Sequence, residues 1–216
     1  MKQKNPEKAP EVAEEDSKKI LKDPYGRKVT GLRISVTDRC NLSCIYCHNE
    51  GADCSTCGPV GREMKPELIC GIVREAVKFG INKVKFSGGE PLFRKDFEEI
   101  LACLPPLKEV SATTNGILLE KRAKALKAAG LDRVNISLDS LVPEKYEAIT
   151  GAPSGSLEKV IRGIDSAVEA GLTPVKLNMV LLKGVNDNEI DSMMDFIRQY
   201  KGKVILQLIE LMNIDP

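Results

Sequence analysis

The sequence predicts an α/β fold: a partial (β/α)6 TIM-like barrel with a disordered N-terminal extension. Two observations lead to this prediction. Six β-rich segments alternate with five helical segments along the 216-residue chain, an order typical of parallel sheets with right-handed crossovers. Polar residues also cluster where successive predicted strands end, as in barrels whose sites are built from βα loops. An open doubly wound sheet shows the same alternation, and the apolar strands do not separate the two closures.

The N-terminal region carries no folding signal before the first strand. Residues 1–22 mix Lys and Glu with Pro6 and Pro10 and show no apolar periodicity, so we predict a disordered extension there and a barrel domain over 23–216. The first strand is predicted at 31–37, GLRISVT, because this stretch is rich in residues that favour β structure.

The middle of the chain repeats a helix followed by a strand. Helical spacing predicts a helix at 65–80, which closes on Gly80 as a C-cap. The strand at 82–89 runs into a Gly-Gly turn. A second helix is predicted at 95–104, and a strand at 108–116 ends in Asn-Gly.

The alternation continues to the end of the chain. An amphipathic helix at 119–130 ends on a glycine and precedes a strand at 132–140, after which Ser156 is the predicted N-cap of the next helix. The remaining segments are a helix at 156–171, a strand at 174–182, a helix at 186–200 and a strand at 203–212.

Charge and composition exclude several classes of partner. The net charge is +1 and the pI is near 7.5, so bulk charge gives no reason to expect a nucleic acid or a membrane surface. No apolar run approaches the roughly 20 residues that span a bilayer, and the charged N-terminus is not a secretory signal. We therefore interpret the seven cysteines as reduced thiols of a cytoplasmic protein, used for metal binding or catalysis rather than for disulfides.

Polar motifs follow four successive predicted strands. They are Thr37–Cys40, Ser87–Glu90, Thr113–Asn115 and Ser137–Asp139. Because the C-terminal ends of parallel barrel strands lie at one rim, we expect these motifs to converge there on a single site.

The first of these motifs opens a loop with three cysteines, Cys40, Cys44 and Cys47, in a CxxxCxxC spacing. Each thiolate can bind a different iron of an iron–sulfur cube, which leaves the fourth iron open to a small molecule. Structural zinc is the alternative, because Cys54 and Cys57 follow closely and could complete four thiolates. The spacing between the two pairs is short for a zinc ribbon, however, and Cys40 would be left over.

The other cysteines and the only histidine have simpler interpretations. Cys70 and Cys103 fall on predicted helices and are read as small buried hydrophobic residues. His48 is read as a solvent-facing loop residue.

The cysteine loop after a first strand, with Tyr46 just before the third cysteine, resembles the radical S-adenosylmethionine (SAM) superfamily. The resemblance implies a [4Fe–4S] cluster on Cys40, Cys44 and Cys47 whose open iron binds SAM. It also implies an electron donor, and cleavage of SAM to a 5′-deoxyadenosyl radical that takes a hydrogen atom from the substrate. GGEP at 88–91 resembles the segment that binds the methionine amino group. The implied cofactor-binding positions are Tyr46, Gly89, Glu90, Ser137 and Met212.

Longer stretches resemble one family within that superfamily, the GTP 3′,8-cyclases of molybdenum cofactor biosynthesis. These stretches are LKDPYGRKVTGLRISVTDRCNLSCIYC, KVKFSGGEPLFRKD, TTNG, DRVNISLDS, VKLNMVLLKGVNDNEI and QLIELM, while CHNEG resembles archaeal members. The resemblance implies GTP as the substrate, abstraction of its ribose C3′ hydrogen, and (8S)-3′,8-cyclo-7,8-dihydroguanosine 5′-triphosphate as the product.

The positions that match the family's GTP contacts are Arg33, Lys85, Thr113 and Lys176. A Lys or Arg inside an apolar strand is costly unless its charged group finds a partner. The three cations therefore indicate a polyanionic ligand independently of the resemblance. No catalytic side chain is predicted.

Family members continue for roughly a hundred residues beyond the match and carry a second iron–sulfur cluster there. Because the chain ends at Pro216, we expect the second-cluster region to be absent, full GTP turnover to be impaired, and apolar surface to be exposed on the barrel's open side. Two alternatives remain at this point: another radical SAM enzyme, such as a peptide-modifying maturase, and a zinc-stabilised binding module. A homodimer is also left open.

Overall fold

Six parallel strands form one sheet, and they lie side by side in their chain order. The computed structural model describes residues 20–47 and 63–211. The strands are β1 (Gly31–Ser35), β2 (Lys83–Ser87), β3 (Glu109–Thr114), β4 (Arg133–Ser137), β5 (Val175–Leu181) and β6 (Val204–Glu210). A doubly wound sheet reverses its strand order at a switch point, and this sheet does not. The predicted partial barrel is confirmed.

Helices connect successive strands and cover the outer face of the sheet. They are α1 (Pro66–Lys78), α2 (Phe97–Ala102), α3 (Leu119–Ala128), α4 (Pro143–Thr150), α5 (Ser156–Glu169) and α6 (Ile190–Arg198), with short 3₁₀ turns at Pro91–Phe93 and Asp187–Glu189. The five predicted helices are all present, and α4 is an additional one. Across the described part of the chain, every helix is too short or too polar to cross a membrane.

The two faces of the sheet differ in polarity. Val84 and Phe86 of β2 are buried in the core, whereas Lys85 between them is only half-buried. The buried apolar strand residues that join them in one core are Ile34, Val110, Ala112, Val134, Ile136, Val175, Leu177 and Met179. Because side chains alternate along a strand, the polar residues between these positions line the concave inner face.

The described part of the chain begins at residue 20, slightly before the predicted domain boundary at residue 23. The predicted disordered extension falls mostly on residues 1–19, which lie outside the described residues. Leu21 donates its N–H to the Phe79 oxygen at 3.1 Å, and Lys22 forms an antiparallel bridge with Lys28. These contacts attach the start of the described chain to the end of α1.

One cysteine prediction is wrong. Cys70 of α1 and Cys103, directly after α2, form a disulfide with a Cα–Cα distance of 6.0 Å. Cys70 is buried as predicted, but we expected both residues to be reduced thiols. The packing of α1 against α2 brings the two cysteines together, and their separation of 33 residues gave no sign of it.

The last strand exposes apolar side chains, as predicted for the open side of the barrel. Ile205 and Leu208 of β6 are each 43% exposed. Within the described residues β6 pairs only with β5, and β1 pairs only with β2. The sheet therefore curves without closing.

Candidate functional site

A cavity of about 550 Å³ lies where the first four strands end. The predicted site residues that line it are Cys40, Cys44, Tyr46, Cys47, Gly89, Thr113 and Ser137. Other lining residues are Ser35, Thr37, Asp38, Leu42, Ser87, Gly88, Thr114, Asn115, Asp139, Tyr146 and Thr150. All four predicted strand-end motifs contribute, so the expected convergence on one rim is confirmed.

Three thiols face this cavity. Cys40 and Cys44 are partly buried and Cys47 is exposed, and none of them is in a disulfide. Burial raises the pKa of Cys40, and it raises the pKa of Cys44 to about 12. Cys40 and Cys44 therefore need a strongly cationic partner to ionise, since metal coordination is what deprotonates a thiol outright.

The three thiols line one cavity and are free of disulfides. Among the residues that the structure describes, no group of three or more His, Cys, Asp or Glu side chains converges tightly enough to hold one metal ion. Ligands of an iron–sulfur cube do not need to converge on one point, because each binds a different iron. The donor set thus fits a [4Fe–4S] cluster. Cys54, Cys57 and His48 lie outside the described residues, so the predictions for them stay predictions.

Glu63 binds two residues at the start of the cysteine loop, Thr37 and Arg39. Its carboxylate accepts hydrogen bonds from the Thr37 hydroxyl and from Nε and Nη2 of Arg39, the last two at 2.8 and 3.1 Å. Arg94 is 2% exposed, approaches Glu63 at 4.0 Å, and pairs with both carboxylate oxygens of Asp96 at 2.8 and 2.6 Å. Burial raises the pKa of Glu63, but the hydrogen bonds from Arg39 and Thr37 outweigh it and the net shift is downward.

The C-terminal end of α4 holds the loop on both sides of Cys44. The N–H of Ser43 donates to the Thr150 oxygen and the N–H of Ile45 donates to the Ile149 oxygen, both at 2.9 Å. The last carbonyls of a helix lack intrahelical partners, and here two of them fix the ligand loop. The sequence gave no prediction of α4, so this support was missed.

Tyr46 connects the loop to the end of β4. Its hydroxyl donates to Oδ2 of Asp139 at 2.6 Å, while the N–H of Val180 donates to Oδ1 of the same carboxylate at 2.8 Å. Asp139 is 1% exposed, and burial raises its pKa. The predicted site residue Tyr46 thus also orders the loop through its side chain.

The Gly-Gly turn after β2 packs against the start of the cysteine loop. Gly89 donates its N–H to the Thr37 oxygen at 2.8 Å. A Cβ on Gly88 would lie 2.2 Å from the Thr37 oxygen, and a Cβ on Gly89 would lie 2.4 Å from the Arg39 oxygen. Only glycine permits so close an approach of the two backbones.

Glu90 supports the cavity without lining it. The side chain is 1% exposed, and its carboxylate accepts from the N–H of Leu92 at 2.9 Å, the Thr114 hydroxyl at 2.7 Å and the N–H of Asn115 at 2.6 Å. These bonds tie the end of β2 to the end of β3. The structure therefore gives Glu90 protein partners, and its predicted contact with a cofactor stays a prediction.

Four cations form a basic cluster on the concave face: Arg33, Lys85, Arg133 and Lys176. Arg33 and Lys85 are register partners, and each lies two residues before a serine that lines the cavity, so the cluster is one layer deeper in the barrel. The pKa of Lys85 is lowered, first by burial and then by the positive charges of the other three. Glu109 offsets one charge through an ion pair with Arg133 at 2.7 Å.

The sequence predicted three members of this cluster and missed Arg133. The missed residue opens a strand, RVNIS, whose other residues alternate between apolar and polar. The argument that singled out Arg33, a cation inside an apolar strand, applies equally to Arg133 and could have found it. Thr113 lines the cavity as expected, whereas Met212 lies outside the described residues.

Comparisons with known proteins agree with this site. A model of the Radical SAM superfamily matches residues 34–197. The chain is 82% identical over 216 residues to a probable GTP 3′,8-cyclase of Methanosarcina mazei and 83% identical to one of Methanosarcina acetivorans, and each match covers the whole chain but 65% of the relative. The predicted resemblance to the superfamily is thereby confirmed.

Solved structures agree with the fold. Streptococcus suis SuiB bound to S-adenosylmethionine aligns with a TM-score of 0.66 at 20% identity, which covers 86% of this chain and 40% of that one. At this identity the likeness concerns the barrel alone. The chain spans 65% of the length of the curated relatives named above.

Proposed function

Because the chain belongs to the radical SAM superfamily, we propose that it is the cluster-, SAM- and GTP-binding barrel of a GTP 3′,8-cyclase. Such an enzyme converts GTP to (8S)-3′,8-cyclo-7,8-dihydroguanosine 5′-triphosphate in molybdenum cofactor biosynthesis. The names of the Methanosarcina relatives support this substrate. The observation that carries the proposal is a cavity with three free thiols directly above a cluster of one exposed and three half-buried cations.

The cavity residues divide between the cluster and SAM. Cys40, Cys44 and Cys47 would hold the cluster, which would supply an open iron for SAM. Gly89 offers backbone to SAM, and Ser137 offers a hydroxyl within the same lining. A reduced cluster and SAM together supply hydrogen-atom abstraction by a carbon radical. The protein's task is to hold substrate beside SAM and to exclude water from the cavity.

The basic cluster binds the triphosphate. Arg33, Lys85 and Lys176 lie on different strands of one concave face, and like charges held together are costly until an anion neutralises them. Thr113 lines the cavity above them and contacts the nucleoside end. In this proposal the ribose lies near the SAM side of the cavity and the phosphates lie deeper in the barrel.

The proposal includes three further features. An electron donor reduces the cluster, and the exposed Cys47 marks the side on which the cluster is most accessible. The site thiols must remain reduced, as a cytoplasmic location would keep them, although the Cys70–Cys103 disulfide is unusual for such a compartment. A homodimer remains compatible with the exposed apolar residues of β6.

Anaerobic reconstitution tests the function. The purified chain is loaded with iron and sulfide, reduced, and assayed for 5′-deoxyadenosine with and without GTP. We expect a brown protein whose spectrum responds to SAM, with GTP-dependent formation of 5′-deoxyadenosine. A colourless protein with one zinc per chain would support the zinc-module alternative. Formation of 5′-deoxyadenosine that responds to peptides but not to GTP would support a peptide-modifying enzyme instead.

A further inference from the structure

Tyr146 is a cavity residue to which no role has yet been given. It lies on α4, the helix whose last carbonyls bind the cysteine loop on both sides of Cys44. Its side chain is 0% exposed and yet lines the cavity. The hydroxyl therefore reaches the site from behind the ligand loop rather than from solvent.

The Tyr146 hydroxyl has no hydrogen-bond partner among the described residues. Burial raises the pKa of Tyr146 and the nearby Thr150 hydroxyl lowers it in part, but Thr150 makes no hydrogen bond of normal geometry with the Tyr146 hydroxyl. The Thr150 hydroxyl donates to the Tyr146 backbone oxygen at 2.6 Å and accepts from the N–H of Ala152 at 3.3 Å. A buried hydroxyl without a partner costs about 1–3 kcal/mol. Buried polar groups are nearly always paired, so the partner of this one is expected to be a ligand of the cavity.

The surroundings indicate the chemistry of that partner. Tyr146 lines the same cavity as the three free thiols, and the end of its helix binds the chain on both sides of Cys44. A tyrosine hydroxyl is protonated at neutral pH and can donate a hydrogen bond. Both oxygens of Asp139 already accept, one from Tyr46 and one from Val180, so the sulfurs of a cluster bound near Cys44 are the anionic acceptors that remain.

We infer that the Tyr146 hydroxyl donates a hydrogen bond to a sulfur of the iron–sulfur cluster at its Cys44 corner, and thereby makes the cluster easier to reduce. This inference rests on the proposed function, since it requires the cluster. Hydrogen bonds to cluster sulfurs are among the factors that set the reduction potential. They disperse the extra negative charge of the reduced state, so the donor raises the potential. Tyr146 is a positioning and tuning residue, not a catalytic one.

The test is the Tyr146→Phe variant, which removes the hydroxyl and keeps the packed ring. Wild-type and variant chains are reconstituted anaerobically, and the reduced cluster is titrated by electron paramagnetic resonance without SAM. We expect the midpoint potential to fall, with the equilibrium constant for reduction lowered by up to about tenfold, or about 59 mV for a one-electron couple. Tyr200→Phe is the matched control, because its hydroxyl bonds Asp165 at 2.8 Å outside the cavity, and its potential should equal that of the wild type.

A second measurement separates this role from a structural one. Without iron, the Tyr146→Phe protein should unfold at the same temperature as the wild type or higher, because the lost hydroxyl had no protein partner. Equal potentials in iron-replete wild-type and Tyr146→Phe proteins would overturn the inference alone. A shift seen only with SAM present would assign the hydroxyl to SAM and also overturn it. A wild-type chain that assembles no cluster would overturn the proposed function itself.

Discussion

At the scale of single residues, the proposed cluster ligand Cys44 lies between two residues that bind α4. Backbone hydrogen bonds fix its two chain neighbours to α4. We predict that Cys44→Ser loses most of the cluster iron and the brown chromophore, because a serine oxygen is a poor ligand for a cluster that is held by thiolates.

The double variant Cys70→Ser/Cys103→Ser is the control for that prediction, since it removes both cysteines of the disulfide between α1 and the end of α2, away from the cavity, and leaves no unpaired thiol there. Iron and sulfide are measured per folded chain after anaerobic reconstitution. A Cys44→Ser protein with a full cluster would contradict the proposed ligand set.

Arg33 and Lys176 decide how well the concave face binds an anion. We predict that Arg33→Ala and Lys176→Ala each weaken GTP binding about tenfold or more, because a hydrogen bond to a charged group contributes about 1.5–3 kcal/mol. Cluster iron should be unchanged, since neither residue lines the cavity. Anaerobic calorimetry measures the affinity, and Lys124→Ala, an exposed lysine of α3, is the control. If both site variants bound GTP as the wild type does, the basic cluster would not be the triphosphate site.

Some of the predicted site residues that the structure places at the cavity or on the concave face break a local sequence pattern. Arg33 and Lys85 interrupt apolar strands, and Gly89 follows a strand where a backbone must approach closely. Tyr146 breaks no pattern, because an aromatic residue in a helical segment is typical of a core. Only the fold shows that its hydroxyl reaches the cavity.

At the scale of elements, α4 is the helix that the sequence analysis did not predict. It has eight residues, which is short, and its weak apolar face gives little periodic signal. Its ends were nevertheless marked, by Pro143 in the first turn and by Gly151 at the C-cap with φ of 65°. The contact of this helix with the cysteine loop is tertiary, so no local pattern could reveal it.

Gly151 tests whether that contact holds the ligand loop. We predict that Gly151→Ala destabilises the protein by about 1–2 kcal/mol, because a positive φ is unfavourable for a residue with a Cβ. It should also lower cluster retention, because the new Cβ would lie 2.3 Å from the Ser43 hydroxyl oxygen and displace the loop. Urea unfolding and iron content are the two measurements.

The chain offers a matched control in Gly155. Its φ is 79°, but nothing lies closer than 4.0 Å to a Cβ built there. Gly155→Ala should therefore lose similar stability while keeping its iron. If both variants kept their iron equally well, the docking of α4 would not position Cys44.

At the scale of the whole molecule, alternation of strands and helices predicted a parallel sheet but could not choose its closure. The observed strand order, sequential from β1 to β6, depends on which face and edge of the sheet each connecting helix packs against. This packing cannot be predicted from the sequence of any single segment. The distribution of charge also depends on the fold. The net charge of the chain is only +1, but the fold brings four positively charged side chains together on the concave face: Arg33, Lys85, Arg133 and Lys176.

The balance of titratable groups over the whole molecule predicts its stability in acid. The Arg94 guanidinium lowers the pKa of Asp96, so this carboxylate stabilises the fold above its unfolded pKa of about 3.9 and stops doing so as the pH falls through its lower folded value. Glu109 shifts the same way beside Arg133. Burial raises the pKa of Glu90 in the folded state instead. The folded protein therefore binds this proton at a higher pH than the unfolded chain does, and the free energy of unfolding rises as the pH falls through that range. We therefore expect the free energy of unfolding to be level or to rise slightly from pH 7 to about 5, and to decline below about pH 4.

The Asp96→Asn variant isolates one part of that decline. It leaves the 2%-exposed Arg94 without its closest carboxylate, which should cost about 1.5–3 kcal/mol at neutral pH. Because the lost group no longer titrates, the variant should also lose less stability than the wild type between about pH 4 and 2. Urea unfolding of the iron-free protein across this range measures both effects. Asp195→Asn is the control, since its pair with Arg198 is about 70% exposed and contributes little. An unchanged acid slope in Asp96→Asn would show that the Arg94–Asp96 pair, which supports the base of the cysteine loop, does not set the acid limit of the fold.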